Sequence, residues 1–181
     1  RSILADPRSE KMQKNLNLKI KFREGFRPFA PSILKEDLEE WFNLKVPSPY
    51  MLIVADVKDS KKLQQNDNHN TEGFEKLNLK RSLIPAVTHV DYSARVQTVD
   101  KKYNKTFHDL IYEFKKITNV PILVNTSFNV RGEPIVSSPE DAFNCFMGTG
   151  LDYLVIGNYV LKKEEQNNNL MSDYKNKYEL D

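Results

Sequence analysis

Two polar side chains spaced two residues apart are the first feature of this sequence that could do chemistry. Ser127 and Asn129 stand in the phrase NTSFN, directly after the apolar run VPILV. If the chain stays extended there, both side chains project from one face, where a hydroxyl and an amide can bind a phosphate or a carboxylate. Open α/β sheets hold ligands at this position, beyond the carboxyl ends of their strands. A hydrogen-bonded turn is the alternative, since Asn and Ser are common turn residues.

Two basic side chains show the same spacing. Lys21 and Arg23, in the phrase KIKFREGFRP, also share a face if that segment is extended. Two neighbouring cations repel each other, and a bound anion would relieve the repulsion. Taken alone, however, the phrase is more typical of a solvated basic strand.

Three further residues are candidates for attracting an anion. Arg95 lies in SARVQ between two Val-rich stretches, and an arginine within an apolar alternation needs either a structural carboxylate or a ligand phosphate as its partner. Arg131 follows the SFN phrase and is a weaker candidate. Ser138 is predicted to cap the following helix, whose N-terminal dipole attracts anions.

The other residues with catalytic potential form no recognisable site. His69, His89 and His108 are scattered without the spacing of metal ligands, so no metal site is predicted. His108 is expected on the surface, and His69 lies in a polar segment. The six glycines include no phosphate-binding loop and no dinucleotide-binding fingerprint. Cys145, the single cysteine, is predicted to pack in the core rather than to react.

The composition is that of an ordinary soluble protein. The 181 residues are 39% hydrophobic and 29% charged, which suits one large domain or a domain with an appendage. A net charge of +2 is too balanced to favour a nucleic acid or a membrane surface as a partner. A single cysteine fits a reducing compartment, and in the absence of a bilayer-length apolar run we expect neither a membrane span nor a signal peptide. We therefore expect a cytoplasmic protein, and because the first residue is Arg rather than Met, a piece of a longer one.

The elements that must position these groups are clearest in the second half of the chain. TFHDLIYEFKKIT predicts a helix with Thr106 as its N-cap, and VPILV predicts a strand. In SSPEDAFNCFMGTG, Ser138 as N-cap, Pro139 at the first position and Asp141 in a capping box predict a second helix. LDYLVIGNYVL predicts a strand, or a hairpin around Gly157. The predicted apolar face of the first helix comprises Phe107, Leu110, Ile111, Phe114 and Ile117.

The first half of the chain is less regular. LNLKIKFR fits the end of a helix or a strand, LKEDLEEWFNL a short helix, and PYMLIVADV a buried strand. Residues 58–82 are polar and Asn-rich, so we expect a long, mobile surface loop or a local insertion. Residues 86–99 fit one bent strand or two short ones. Because strands and helices alternate, the sequence predicts an α/β fold with a partly parallel sheet.

Five phrases of the chain resemble the carboxy-terminal part of the O-carbamoyltransferases, the family of the nodulation-factor, cephamycin and tobramycin carbamoylating enzymes. They are RSILADPR, LNLKIKFREGFRPFAPSIL, SPYMLIVADV, IPAVTHVDYSARVQTVD and VPILVNTSFNVRGEPIVSSPEDAFNCFMGTGLDYLVIGNYVL. The resemblance covers residues 1–163, with an interruption at 58–82. These phrases are long, so the resemblance is specific.

The resemblance implies a fold and a reaction. Residues 1–163 are expected to form a YrdC-like domain, a twisted open mixed α/β sheet with flanking helices, followed by a polar tail at 164–181. Such a domain takes ATP, with Mg²⁺, and carbamoyl phosphate, and makes carbamoyl adenylate with release of phosphate and pyrophosphate. An amino-terminal transfer domain of the same polypeptide, absent from this chain, then moves the carbamoyl group to a hydroxyl acceptor. Iron is expected only on that domain.

The resemblance also assigns residues to the site. YrdC-like domains carry a KxR pair and an SxN pair around the nucleotide, and KFR and SFN are the matching phrases here. Arg95 falls at a position that the family uses for phosphate contacts. The implied catalytic residues are Lys21, Arg95 and Ser127, and the implied binding residues are Lys21, Arg23, Arg95, Ser127, Asn129 and Arg131.

Two departures and two alternatives follow from the same resemblance. In full-length relatives a GPRALGNRS phrase leads into this region, and the chain begins at its final RS, so one arginine of the phosphate site is expected to be absent. Without the transfer domain, the isolated chain is expected not to complete carbamoyl transfer and to adenylate poorly or not at all.

The alternatives are a YrdC-like nucleotide- or RNA-binding module and an interaction domain without turnover. A charge of +2 without interleaved basic and aromatic residues argues against RNA.

Overall fold

A computed structural model describes residues 1–63, 79–170 and 173–178. Its strands are β1 (Ser2–Ala5), β2 (Ala30–Leu34), β3 (Ile53–Asp56), β4 (Ser93–Val99), β5 (Ile122–Ser127), β6 (Tyr153–Ile156) and β7 (Tyr159–Lys162). Its α-helices are α1 (Met12–Asn15), α2 (Leu38–Trp41), α3 (Lys105–Thr118) and α4 (Pro139–Gly148). Leu16–Lys21 form a π-helix, and short 3-10 helices lie at Lys35–Asp37, Asp59–Lys61, Pro85–Val87, Lys163–Glu165 and Asn168–Leu170. No helix within the described ranges has the length and the apolar composition that crossing a bilayer requires.

Five strands form a mixed sheet in the order β1-β5-β2-β4-β3. β2 runs parallel to β4, with Ser32 opposite Gln97, and antiparallel to β5; β3 is antiparallel to β4. The predicted α/β fold with a mixed sheet is therefore confirmed. Strands β6 and β7 form a separate antiparallel pair. Their turn contains Gly157 at a φ of 58°, so of the two predicted alternatives, a strand or a hairpin around Gly157, the hairpin occurs.

The chain folds into two compact units. Unit 1 comprises Arg1–Ile3, Lys14–Arg27 and Ser127–Asp181, and unit 2 comprises Leu4–Gln13 and Pro28–Thr126. Most of the mixed sheet therefore belongs to unit 2, whereas the π-helix, α4 and the β6–β7 hairpin belong to unit 1. The boundary between Thr126 and Ser127 falls at the end of β5, so the first residue of the SFN phrase is also the first residue of its segment in unit 1.

The core of unit 2 includes β2 and one side of α3. All five residues of β2 are buried, as a central strand requires. A buried cluster, against which Phe107 and Phe114 pack, consists of Leu34, Val99, Ile111 and Leu123. The apolar stripe of α3 is narrower than predicted, because Leu110 is 49% and Ile117 is 84% exposed.

Two predictions about α3 are wrong. Its N-cap is Asn104, whose side chain accepts a hydrogen bond from Phe107 N at 3.2 Å, rather than Thr106. Asn is at least as good a cap as Thr, so the helix can begin earlier. His108, expected on the surface, is 5% exposed. Its Nε2 lies 2.7 Å from Glu36 Oε1, and such a polar partner permits the burial of an imidazole.

β3 lies at the edge of the sheet, so the prediction of a buried strand at 49–57 is wrong about burial. Leu52 is 82% exposed, and Val54, within β3, is 56% exposed. Among the described strands, β4 is the one neighbour of β3, and an edge position leaves part of its apolar side chains in contact with solvent. The short helix predicted in residues 34–44 is confirmed, as a 3-10 turn followed by α2.

The ends of the polar segment 58–82 are held together. Lys62 and Ser82 form an antiparallel bridge, and Leu63 N donates to Arg81 O at 2.8 Å. Residues 64–78, and with them His69, lie outside the described residues. Residues 86–99, predicted as one bent strand or two short ones, contain one strand, β4. The first two residues of this segment belong to the 3-10 helix Pro85–Val87.

A buried polar group connects three strands of unit 2. Asn125 Nδ2, in β5, donates to Ser32 Oγ at 3.0 Å and to Gln97 Oε1 at 2.9 Å. Ser32 Oγ donates to the same Gln97 oxygen at 2.5 Å. Because buried polar side chains are hydrogen-bonded almost without exception, this set explains why an asparagine follows the apolar run VPILV. Asn125 ties β5 to β2 and β4.

Helix α4, in unit 1, begins as the sequence predicts. Ser138 Oγ accepts a hydrogen bond from Asp141 N at 3.0 Å, and Asp141 Oδ2 accepts one from Ser138 N at 2.9 Å. Pro139 occupies the first helical position. The hydrogen bonds with Ser138, and further ones with Ser137, lower the pKa of Asp141 to about 2. Cys145 is fully buried in this helix, as predicted, and burial raises the pKa of its thiol to about 12.

Two conformations are predicted for the phrase LNLKIKFR, the end of a helix or a strand, and the helical one occurs. The buried face of the π-helix comprises Leu16, Asn17, Ile20 and Lys21. Leu18, between the buried residues of this face, is 48% exposed. After Lys21 the chain turns at Phe22, which has a φ of 49°. The extended conformation that would place Lys21 and Arg23 on one face therefore does not occur.

One residue of the segment predicted as a polar tail lies in the core of unit 1. Tyr174 is 2% exposed and packs against α4 at Gly148. A Cβ atom at position 148 would lie 2.2 Å from Cβ and 2.4 Å from Cγ of Tyr174. The absence of a side chain at Gly148 therefore makes room for the tyrosine. Residues 171–172 and 179–181 of the same segment lie outside the described residues.

Gly148→Ala is expected to destabilise unit 1, although Gly→Ala within a helix usually stabilises by up to about 1 kcal/mol. The added methyl group would collide with the near end of the Tyr174 side chain, which rotation about its side-chain bonds cannot move away. We expect the free energy of unfolding in urea to fall by about 1 to 3 kcal/mol. Gly25→Ala is the control, because its Cβ would meet no atom closer than 3.7 Å. An unchanged or higher stability of Gly148→Ala would show that Tyr174 does not pack there.

Candidate functional site

Lys21, at the end of the π-helix, lies against the loop that follows β5. Its Nζ donates to the backbone oxygens of Ser127 and Asn129 at 2.5 and 2.9 Å. Asn129 Oδ1 lies at 2.9 Å and Ser127 Oγ at 3.3 Å from the same nitrogen. Three N–H donors thus meet four oxygen atoms, so the ammonium group is fully hydrogen-bonded. The structure brings together residues from two separate motifs, and we refer to Lys21, Ser127 and Asn129 as the lysine cluster.

The two polar side chains of the SFN phrase contact each other. Ser127 Oγ donates to Asn129 Oδ1 at 2.6 Å, and Asn129 Nδ2 donates to Glu133 O at 2.7 Å. The second bond fixes the orientation of the amide, because only its nitrogen can donate. Ser127 is exposed and Asn129 is half-buried. The loop therefore presents the serine to solvent and holds the asparagine behind it.

Burial dominates the electrostatics of Lys21. The residue is 3% exposed, and this burial lowers the pKa of its amine to about 8. The charge of Arg23 acts in the same direction, whereas Cys145 and the Glu133 carboxylate raise the pKa. The ammonium form still predominates at neutral pH, and the four oxygen partners offset much of the cost of removing the charge from water.

Arg23 is held in place by a buried asparagine. Arg23 Nε donates to Asn17 Oδ1 at 2.7 Å, and Asn17 Nδ2 donates to Gly25 O and Arg27 O at 3.2 and 2.9 Å. Asn17 is fully buried and so fixes the loop that carries both arginines. Burial, and then the charge of Arg27, lower the pKa of Arg23, as expected where cations are crowded together.

Arg131 joins the same region through its backbone. Arg131 N donates to Lys21 O at 3.1 Å, and its guanidinium Nη1 lies 3.8 Å from Glu24 Oε1. The side chain is half-buried. Positive charge from Lys21, Arg23 and Arg131 is thus concentrated in the segments of unit 1 that surround the lysine cluster, which favours the binding of an anion.

Arg95 belongs to unit 2. It lies in the middle of β4, opposite Val54 of β3, and its side chain is exposed between the buried residues Ala94 and Val96. The argument that this arginine needs a partner because it lies in an apolar segment is therefore wrong, since the side chain points outward from an alternating strand. Its roles in catalysis and in phosphate binding stay a prediction from the resemblance.

The N-terminus of α4 already carries a carboxylate of its own. Asp141 Oδ2 accepts hydrogen bonds from Ser137 N at 3.1 Å and from Ser137 Oγ at 3.0 Å, in addition to the capping-box bond from Ser138. An acidic group at this position balances the positive end of the helix dipole. The anion that the dipole was expected to attract is therefore supplied by the chain itself.

Glu133 is the residue near the lysine cluster that the sequence did not reveal. It is 7% exposed; its Oε2 accepts from Val130 N at 2.8 Å, and its Oε1 accepts from Tyr178 at 3.0 Å and from Tyr174. Acidic side chains are seldom buried without such partners. The phrase RGEPIV looks like an ordinary polar turn, and both tyrosines come from the segment interpreted as a tail, so no local pattern marks this glutamate.

The arrangement can supply charge and orientation. Ser127 Oγ donates to an amide oxygen, which is not a base and so does not activate the hydroxyl as a nucleophile. Cys145 has a raised pKa, which makes its thiol unreactive. Within residues 1–63, 79–170 and 173–178, no three His, Cys, Asp or Glu side chains lie close enough to bind a metal ion together. What the described residues of the lysine cluster can contribute is therefore positive charge and the positioning of ligands.

Comparison with known proteins relates most of the chain to one family. The family model described as Carbamoyltransferase C-terminus matches residues 1–163. An uncharacterised protein of Synechocystis sp. is 55% identical over 167 residues, which cover 92% of this chain and 27% of that protein. The nodulation protein NolNO of Sinorhizobium fredii is 45% identical over 90% of this chain and 22% of its own length. Nodulation protein U of Rhizobium tropici is 35% identical over 91% of this chain and 24% of its own length. The chain thus spans about a quarter of the length of these relatives.

The amine of Lys21 is expected to titrate near pH 8 in the folded chain, well below the ordinary lysine pKa of 10.5. A ¹³C NMR titration of the lysine-labelled chain should show one such resonance, absent from Lys21→Met. Between these two pKa values the unfolded chain binds more protons than the folded chain, so the contribution of Lys21 to stability becomes more favourable as the pH rises.

Urea unfolding tests the same expectation. The stability of the wild type relative to Lys21→Met should increase between about pH 7.5 and pH 9.5. Lys116→Met, at an exposed lysine paired with Glu113, is the control and should show no such increase. A resonance that is missing from Lys21→Met but titrates above pH 10 would contradict the buried position of Lys21.

Proposed function

The chain belongs to the Carbamoyltransferase C-terminus family, and we propose that it is the part of an ATP-dependent O-carbamoyltransferase that binds ATP and carbamoyl phosphate and forms carbamoyl adenylate. Membership confirms the resemblance to the carboxy-terminal part of the O-carbamoyltransferases. The observation that carries the proposal is the lysine cluster, in which a buried cation is hydrogen-bonded to the loop that bears Ser127 and Asn129.

The proposed reaction has two balanced steps. Water and carbamoyl phosphate give carbamate and inorganic phosphate, as the bond between the carbamoyl carbon and the phosphate oxygen breaks. A carbamate oxygen then attacks the α-phosphorus of ATP, and the bond from this phosphorus to the bridging oxygen breaks, so pyrophosphate leaves with the electron pair. Mg²⁺ enters with ATP as part of the substrate, because phosphate oxygens and water supply most of its ligands.

Electrostatics explains why this reaction needs the cations of unit 1. Carbamate, phosphate and the ATP phosphates are all anions, and they repel one another as they approach. Fixed positive charges that are already in place offset this repulsion and stabilise the charge that develops in the transition state. Lys21 supplies such a charge behind the loop, and Arg23 and Arg131 supply two more beside it. Ser127 is the exposed member of the lysine cluster and contacts the ligand.

The same proposal assigns the remaining steps to the rest of a longer polypeptide. An amino-terminal transfer domain, the carrier of iron, receives carbamoyl adenylate and passes the carbamoyl group to a hydroxyl of the acceptor. The acceptor is therefore recognised by that domain. The nodulation proteins among the relatives are about four times as long as this chain, which leaves room for such a domain.

Ser127→Ala in the complete protein is expected to lower carbamoyl-phosphate-dependent pyrophosphate release about 100-fold. The substitution removes one positioning group from an exposed site, so the free energy of unfolding should change little. Ser137→Ala is a matched control, because Ser137 is also an exposed serine of unit 1 whose hydroxyl donates one hydrogen bond, to Asp141. Isothermal calorimetry with ATP and carbamoyl phosphate shows whether binding is lost together with turnover.

Arg95→Ala is expected to remove ATP turnover as well, if the arginine binds phosphate as the resemblance implies. Its side chain is exposed on β4, so the fold should be spared. Arg8→Ala, at an exposed arginine paired with Asp6, is the control for the loss of a surface guanidinium. Full turnover in both Ser127→Ala and Arg95→Ala would refute the proposed function. Retention of tRNA on a filter at physiological salt would favour the RNA-binding alternative instead.

A further inference from the structure

Glu133 connects to the lysine cluster through both its backbone and its side chain. Its carbonyl oxygen accepts the hydrogen bond from Asn129 Nδ2 at 2.7 Å. Its carboxylate accepts a hydrogen bond at 2.8 Å from the backbone nitrogen of Val130, the residue that follows Asn129. The two bonds close the turn formed by residues 129–133, so the position of Glu133 determines where the Asn129 amide lies and which way it faces.

Two tyrosines hold the Glu133 carboxylate from the other side. Tyr174 and Tyr178 both donate to Glu133 Oε1, the latter at 3.0 Å, and their rings meet edge to face at 5.6 Å between centroids. Gly148 provides the space in which Tyr174 is buried. Both tyrosines lie beyond residue 163, where the match to the family model ends. Two of the donors to the carboxylate therefore lie outside the residues that the family model matches.

Each oxygen of this buried carboxylate has donors that suit an ionised group. A buried carboxylate without donors is strongly unfavourable, whereas one with three hydrogen bonds is well accommodated. A negative charge here also stabilises the nearby ammonium of Lys21, and it is one of the groups that raise the pKa of that amine. Glu133 thus affects the lysine cluster both mechanically and electrostatically.

We propose that Glu133 is a positioning residue for the Ser127–Asn129 loop, held in place by Tyr174 and Tyr178. The proposal rests on the proposed function, since the loop it positions is the one assigned to the ligand. With Glu133 in place, the nitrogen of the Asn129 amide is directed to Glu133 O and its oxygen to Lys21 and Ser127. Without the carboxylate, Val130 N loses its acceptor and the turn can open. The Asn129 amide then loses the Glu133 carbonyl as its acceptor and can turn over, which opens the cluster.

Glu133→Gln in the complete protein is the direct test. A glutamine has one acceptor oxygen where the carboxylate has two, so either Val130 N or the tyrosine hydroxyls must face an NH₂ group. We expect kcat/KM for carbamoyl phosphate to fall about 10- to 100-fold. The proposed function requires the ammonium form of Lys21, so deprotonation of Lys21 sets the alkaline limb of the activity profile. We expect this limb to move to lower pH, because loss of the negative charge of Glu133 lowers the pKa of Lys21. Glu140→Gln, at an exposed glutamate of the same unit, should alter neither quantity.

Tyr174→Phe separates the mechanical effect from the electrostatic one. This variant keeps the carboxylate and its charge but removes one of its donors. We expect a smaller loss of kcat/KM, with the alkaline limb at the position of the wild type. If Glu133→Gln does not fold, Tyr174→Phe decides the matter, since wild-type kcat/KM in this variant would overturn the role of the tyrosines in positioning.

The pattern of results distinguishes this inference from the proposed function. A folded Glu133→Gln variant with wild-type kcat/KM and an unmoved alkaline limb overturns the inference while Ser127→Ala remains inactive. A loss of stability with an unmoved limb identifies Glu133 as purely structural and also overturns it. If Ser127→Ala is fully active, the proposed function fails. The NMR titration of Lys21 in Glu133→Gln then still reports whether Glu133 acts on the lysine cluster.

Discussion

An ammonium group that is removed from water must be surrounded by oxygen atoms, and this requirement joins distant parts of the chain in unit 1. The oxygens around Lys21 Nζ come from Ser127 and Asn129, 106 and 108 residues further along. Two of them are backbone carbonyls, so the contact fixes the course of the loop as well as its side chains. Loss of the two carbonyl partners, which a side-chain substitution leaves in place, would leave a buried charge poorly compensated, which is far more costly than the loss of an exposed ion pair. The π-helix and the loop after β5 are therefore tied to each other by the solvation of one nitrogen.

Glu133 shows the same principle with the opposite charge. A buried cation lies at one end of the loop and a buried anion at the other, and the Asn129 amide lies between them. Its oxygen faces Lys21 and its nitrogen faces the carbonyl of Glu133. Because each end is satisfied by specific donors or acceptors, the amide has one favourable orientation. Preorganised dipoles of this kind need no rearrangement during a reaction, which is the property that makes them effective in catalysis.

Whether a feature could be predicted depended on how far along the chain its causes lie. The start of α4 was predictable because the capping box of Ser138 acts within four residues. The members of the lysine cluster could be identified as two motifs, but the argument from an extended conformation failed for Lys21, since a π-helix brings it to the loop. The cap of α3 was misplaced because two adequate caps lie close together. The burial of His108 and of Glu133 depends on partners 72 and 41 residues away, which no local pattern contains.

The directions of the hydrogen bonds bear on how the proposed ligand is held. The three donors of Lys21 and the hydrogen of Ser127 are already directed at oxygens of the chain, so positive charge reaches a ligand from behind the loop rather than through a direct contact with Lys21. In the proposed function, donors to a phosphate come from groups beside the cluster, such as Arg23 and Arg131, each two residues along the chain from a member of the cluster. The exposed Ser127 Oγ gives its hydrogen to Asn129 and accepts from Lys21 at 3.3 Å, so one lone pair remains to accept a hydrogen bond. These groups suit a ligand with an oxyanion, which accepts from the arginines, and an NH₂ group, which donates to Ser127 Oγ. Carbamoyl phosphate carries both, whereas a simple acyl phosphate lacks the NH₂ donor.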